Sequence, residues 1–248
     1  MQFIDLIILI VVAFVPSLIY LVWIRNTERY NKEPYRRVIL VFVIGASVSI
    51  ILAIVAESFA MILYNENAPR FYQIFGKDPT VGTLLLACVI APLVEEFAKA
   101  IGVFRVRRFM AEIEDGIVYG AAAGLGFAAT ENLLYEGSAL LSSGVDVFIA
   151  TVVVRSLSSA LLHASASSVF GLGIARSALQ GRGWFVYYLG AVSAHGLFNL
   201  FASFGELFKG SMGQEASLFG LMAAFIIAIG GIMITRSKIR QLDRAGRA

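Results

Sequence analysis

The chain has 248 residues, 58% of them hydrophobic and only 15% charged, with a mean hydropathy of +0.80, a formal net charge of +3 and a pI near 9.1. Such a composition excludes an ordinary soluble domain and describes a polytopic membrane protein. Its single cysteine, Cys88, excludes an intrachain disulfide.

Seven apolar stretches approach the roughly 20 residues that a spanning helix needs. In chain order they are Ile4–Ile24, Val38–Leu63, Thr83–Phe104, Gly116–Tyr135, Val147–Ala175, Phe185–Phe204 and Leu218–Thr235. They predict one all-α transmembrane bundle over residues 1–248, with no room for a separate soluble domain. The first stretch lacks a basic leader and a small-residue cleavage site, so it reads as an uncleaved anchor. The segment Asn65–Thr80 is the one long loop on its side, with Phe71, Tyr72 and Phe75 suited to the bilayer interface and, less directly, to a lid.

Basic residues set the orientation. Arg25, Arg29, Lys32, Arg36 and Arg37 follow the first stretch, Arg105, Arg107 and Arg108 the third, and Arg176 and Arg182 the fifth. Arg236, Lys238, Arg240, Arg244 and Arg247 follow the seventh, whereas the opposite side carries Arg70, Lys77 and Lys209. This alternation predicts an outer N-terminus and a cytoplasmic C-terminus. It also accounts for the high pI without a nucleic-acid partner.

The third stretch carries Glu95 and Glu96 side by side, and acids at such depth mark a functional site by default. Neighbouring carboxylates raise at least one pKa unless a cation holds both, which suits a proton acceptor or a metal ligand. Lys99 stands four and three residues on, so one helix face can gather all three, and ion pairing alone would explain part of the cluster. Pro92 removes a backbone donor one turn earlier and makes room for water or a ligand. In the fourth stretch, Gly116, Gly120 and Gly124 make a smooth ridge for a neighbouring helix. Glu131 and Asn132 lie beyond it. By helical rise Glu131 sits roughly 22 Å from the inner start of its span, against roughly 12 Å for Glu96, so Glu131 or Glu57 can equally well neutralise Arg155 in the outer half.

Both histidines of the chain lie within spans, His163 in the fifth and His195 in the sixth, with Asn199 one turn after His195. His195 and Asn199 can address one pocket, the imidazole as ligand or base and the amide as an oxyanion or supporting donor. By helical rise His195 lies roughly 15 Å from the inner end of its span, close to the depth of Glu96. Spans three, five and six should therefore surround one polar cavity near the bilayer midplane. Two imidazoles and a carboxylate are a zinc-like donor set with an open position.

Taken in order, Glu95-Glu96-x-x-Lys99, Phe127-x-x-x-Glu131-Asn132, His163 and His195-x-x-x-Asn199 resemble the motif series of PrsW-type intramembrane proteases. These belong to the wider clan of CAAX prenyl endopeptidases and Abi membrane proteases. The resemblance covers about half the chain, a catalytic core over 83–204. It implies a protease of the cell membrane that cuts a membrane-anchored protein, similar to site-1 cleavage of an anti-sigma factor. It further implies Glu95, Glu96, His195 and Asn199 as catalytic, Lys99, Glu131 and Asn132 as supporting, and His163, His195 and Glu96 as ligands of a divalent metal, zinc by analogy. The prenyl-endopeptidase branch carries a histidine where Glu131 stands here. A proton- or cation-coupled transporter, a non-catalytic scaffold of the same fold and a lipid-modifying enzyme remain open, as do the substrate and the oligomeric state.

Overall fold

A computed structural model describes residues 3–76 and 79–245; Lys77 and Arg247, used in the orientation argument, lie outside them. Seven helical stretches are long and apolar enough to cross a membrane, and the described residues form no strand. The helices are α1 (Phe3–Arg25), α2 (Tyr35–Ile44), α3 (Ile50–Phe75), α4 (Pro79–Leu85), α5 (Ala91–Val106), α6 (Ile113–Ser143), α7 (Val145–Leu157), α8 (Ser159–Gln180), α9 (Phe185–Ala202), α10 (Phe204–Met212) and α11 (Glu215–Ala245). Large apolar side chains such as Val55, Phe59, Val186, Ile226 and Ile234 point outward, as lipid permits and water does not.

Three differences from the sequence reading matter. Most of the expected loop Asn65–Thr80 is helix, because α3 runs on to Phe75. The fifth stretch is broken: Ser158 leaves helical geometry between α7 and α8. Two π-helical stretches, Gly45–Ser49 and Leu86–Ile90, interrupt the second and third spans. A π turn inserts one residue and rotates everything beyond it, and such turns gather at functional sites. The second stretch ends immediately before Ala91-Pro92, where proline supplies no backbone donor.

Helix α6 is the hub. In its most apolar window 78% of residues are buried, against at most 39% in any other span. Asp115 and Glu112 start it with a reciprocal capping box: Asp115 Oδ2 accepts from the backbone N–H groups of Ala111 (2.7 Å) and Glu112 (3.0 Å), and Glu112 in turn accepts from that of Asp115. The glycine ridge packs on α8. A Cβ at Gly124 would stand 2.1 Å from the His163 carbonyl oxygen, and one at Gly120 2.3 Å from that of Ser167. The ridge thus presses the helix carrying His163 and Ser167 against the helix carrying Glu131. Gly124→Ala is expected to destabilise the protein by about 1–3 kcal/mol through overpacking, seen as a lower melting midpoint in detergent. Gly230→Ala on α11, where an added Cβ meets nothing within 4 Å, should leave the midpoint unchanged.

At the opposite end from Glu131, the loop between α1 and α2 folds over α6. Glu28 Oε2 accepts from the Glu33 backbone N–H (3.0 Å), and the Tyr119 hydroxyl donates to Glu33. Burial pushes the Glu28 carboxyl up to about 8 and that of Glu33 up to about 7.

Candidate active site

The site is assembled around Lys99 of α5, which is fully buried. Its ammonium donates to Glu95 Oε2 (3.0 Å), Glu96 Oε1 (2.8 Å) and His163 Nδ1 (2.8 Å), and lies 4.2 Å from the centre of the Phe127 ring. A lone ammonium would be very costly here; three acceptors and a ring face offset its desolvation. The i,i+3 and i,i+4 spacing supplies the two carboxylates, and the α6–α8 contact delivers the imidazole.

The two acids differ in surroundings. Glu96 is fully enclosed and accepts from Lys99, from the Ser167 hydroxyl at Oε2 (2.8 Å) and from His195 Nδ1–H at Oε1 (2.9 Å). Glu95 faces a cavity of about 660 Å³, whose wall includes His163, Glu131, Arg155, Tyr135, Asn199 and Glu57. Its Oε2 lies 3.9 Å from both His163 Nδ1 and His195 Nε2. The imidazoles meet edge to face with ring centres 4.8 Å apart.

Each imidazole is gripped through its other nitrogen. His163 Nε2–H donates to Glu131 Oε2 (2.9 Å), as His195 Nδ1–H does to Glu96. This fixes the tautomers that leave His163 Nδ1 and His195 Nε2 as lone-pair donors. Carboxylate-held imidazoles are the pattern of metal-ligating histidines. One donor atom each from Glu95, His163 and His195 lies within 4.8 Å of the others, so these residues can hold a metal. The carboxylate that converges with both imidazoles is Glu95, whereas the oxygens of Glu96, named in the expected ligand set, meet Lys99, His195 and Ser167. Lys99 shares His163 Nδ1, so a bound metal and the ammonium compete for that lone pair.

Beyond His163 the chain of contacts continues. Arg155 donates from Nη2 to Glu131 Oε2 (2.7 Å) and Ser159 Oγ (3.2 Å), and from Nε to Asn132 Oδ1 (2.8 Å). Glu131 thus serves both Arg155 and His163, and the depth mismatch expected from helical rise does not separate it from the site. Asn199 lines the cavity, but its amide donates to the Ala87 carbonyl (2.8 Å) in the π-helical stretch, steadying the irregular backbone ahead of the acids. Ser167 is a residue of the site that the sequence reading does not single out. Its i+4 spacing from His163 already places it on the same helix face, the signal that could have added it.

Comparison with known proteins points to one family. The model of the PrsW family intramembrane metalloprotease matches residues 33–230. Protease PrsW of Clostridioides difficile (strain 630) is 31% identical over 150 residues, which are 59% of this chain and 58% of that protein. Protease PrsW of Geobacillus kaustophilus (strain HTA426) is 27% identical over 195 residues, 77% of this chain and 78% of the relative. No solved structure matches. The family match takes in every site residue from Glu57 to Asn199, and on its extent the chain belongs to the PrsW family of intramembrane metalloproteases.

Proposed function

We propose that the chain is an intramembrane metalloprotease that hydrolyses a peptide bond of a membrane-anchored protein, with Glu95, His163 and His195 holding the metal. The observation that carries this reading is the convergence of two carboxylate-held imidazoles and Glu95 beside the cavity. Zinc suits this donor set, and when bound it would supply Lewis-acid polarisation and a water acidic enough to attack near neutral pH. The protein's own groups do the remaining work. Glu96 and Glu131 hold the imidazoles in the ligating tautomer, and Lys99 restrains both acids. Ile54, Met61, Leu86, Ile90, Leu134 and Phe198 give the cavity apolar walls that suit a hydrophobic peptide and limit water. Asn199 acts through Ala87 rather than on the substrate.

The distribution of basic residues favours an outer N-terminus. Under that orientation, cavity residues Met61, Thr83, Ser203 and Glu206 lie toward the outer ends of their helices, so the peptide approaches from outside. This supports extracytoplasmic cutting of a single-span anti-sigma factor at the cell membrane as the substrate class. The test is to incubate the reconstituted protein with single-span peptides and read the products by mass spectrometry. One discrete cut is expected, lost on treatment with a strong chelator and restored by zinc. Uncut peptides throughout, or cleavage that the Glu95→Gln protein performs equally well, would reject the reading.

A further inference from the structure

The end of the bundle away from the cavity mouth gathers carboxylates that the proposed reaction does not use. Glu112 and Glu114 at the start of α6 and Asp243 near the end of α11 each bring a carboxylate oxygen within 4.8 Å of the others. Glu114 and Asp243 are buried, and Glu112 is half-buried. Part of their hydrogen-bonding capacity already goes to backbone. Asp243 accepts from the N–H groups of Arg29 (3.0 Å) and Tyr30 (3.4 Å), and Glu112 caps α6.

A second observation comes from the α1–α2 loop. Glu28 is 1% exposed, and its Oε1 is buried with no hydrogen-bond partner, although Oε2 is satisfied by Glu33. Asp115, Glu33 and Glu114 are near enough for their charges to bear on it. Glu114 Oε1 and Asp115 Oδ1 are likewise buried without a partner. Among the described residues, Arg37–Glu33 at 3.7 Å is the one ion pair that reaches any of these acids. Unpartnered buried carboxylate oxygens are expensive, and several in one neighbourhood are most simply satisfied by a shared cation.

We propose that Glu28, Glu112, Glu114 and Asp243 form a second cation site, which takes a hard divalent ion of the calcium or magnesium class and ties the α1–α2 loop to the start of α6 and the end of α11. The ligands are all oxygens, the donor set of Ca²⁺ and Mg²⁺ rather than of zinc, so this site differs in kind from the imidazole-containing one. Its role is structural: α6 also carries Glu131 and Asn132, and a cation at its first turn fixes where that helix begins. The inference is independent of the protease reading.

The full chain, purified in detergent and stripped of metal, would be titrated with Ca²⁺ and separately with Mg²⁺ by calorimetry, with the melting midpoint followed in parallel. One equivalent of at least one ion should bind and raise the midpoint, both in the wild type and in Glu95→Gln, which removes only the membrane donor set. Glu114→Gln and Asp243→Asn should each weaken that binding at least tenfold. Should neither variant fold, hydrogen–deuterium exchange of the wild type decides, since the ion must slow exchange in residues 26–33 and around Asp243. No binding by the wild type, unchanged affinity in both variants, or exchange unaffected at those segments would overturn the site and leave a cluster neutralised by protons alone.

Discussion

Glu95→Gln is expected to lower peptide hydrolysis by about 10²–10⁴-fold while leaving expression and folding nearly intact. The amide is isosteric and can still accept from Lys99, but it neither takes a proton nor ligates a metal well. Glu96→Gln should cost less, about 10–100-fold, the usual price of disturbing a group that orients a ligand, because an amide oxygen still receives the His195 N–H. The resemblance implies both acids as catalytic and Glu96 as the ligand; in the structure only Glu95 borders the cavity and approaches both histidines. Initial rates of the two variants on one reconstituted peptide check the order. Wild-type turnover in both would reduce the pair to a charge cluster that locks helices together.

The second large effect belongs to Arg155. Arg155→Leu should destabilise the protein by as much as about 3–5 kcal/mol, because it strands a largely buried carboxylate, with both partners only 18% exposed. Asn132 Oδ1 would lose its donor at the same time. Combining the change with Glu131→Gln should recover much of the loss, since the amide oxygen can still accept from His163 Nε2–H while carrying no charge to neutralise. A double-mutant cycle followed by unfolding in detergent measures the coupling, and strictly additive losses would contradict the pairing.

Much of the site was legible in the chain because its spacings are local. Glu95, Glu96 and Lys99 fall on one helix face by i,i+3 and i,i+4 arithmetic, and the glycine ridge announced a close neighbour for α6 before that neighbour was known to be α8. Which carboxylate converges with the two imidazoles was not legible. Adjacent residues differ by about 100° around a helix, and the π-helical stretch Leu86–Ile90 adds a rotation that no hydrophobic period displays. Helical rise put Glu131 farther out than Glu96 because it counted each along an ideal straight helix from an assumed span end. The break at Ser158 lets α7 bring Arg155, and α8 bring His163, to the same carboxylate oxygen. For Asn199 the sequence offered an oxyanion donor or a supporting one, and its bond to the Ala87 carbonyl was not legible because that acceptor is a backbone group in the irregular stretch. Helix α10 went unread, being too short to span a bilayer.

Whether Glu95, His163 and His195 share one metal is tested most directly by anomalous scattering at the zinc edge from crystals of protein that cleaves its peptide. The account predicts one strong peak about 2.0–2.2 Å from Glu95 Oε2, His163 Nδ1 and His195 Nε2, with the Lys99 ammonium withdrawn from His163 and still bound to the carboxylates. A peak elsewhere in the membrane region, or active protein in which Lys99 alone occupies the space between these three atoms, would contradict it.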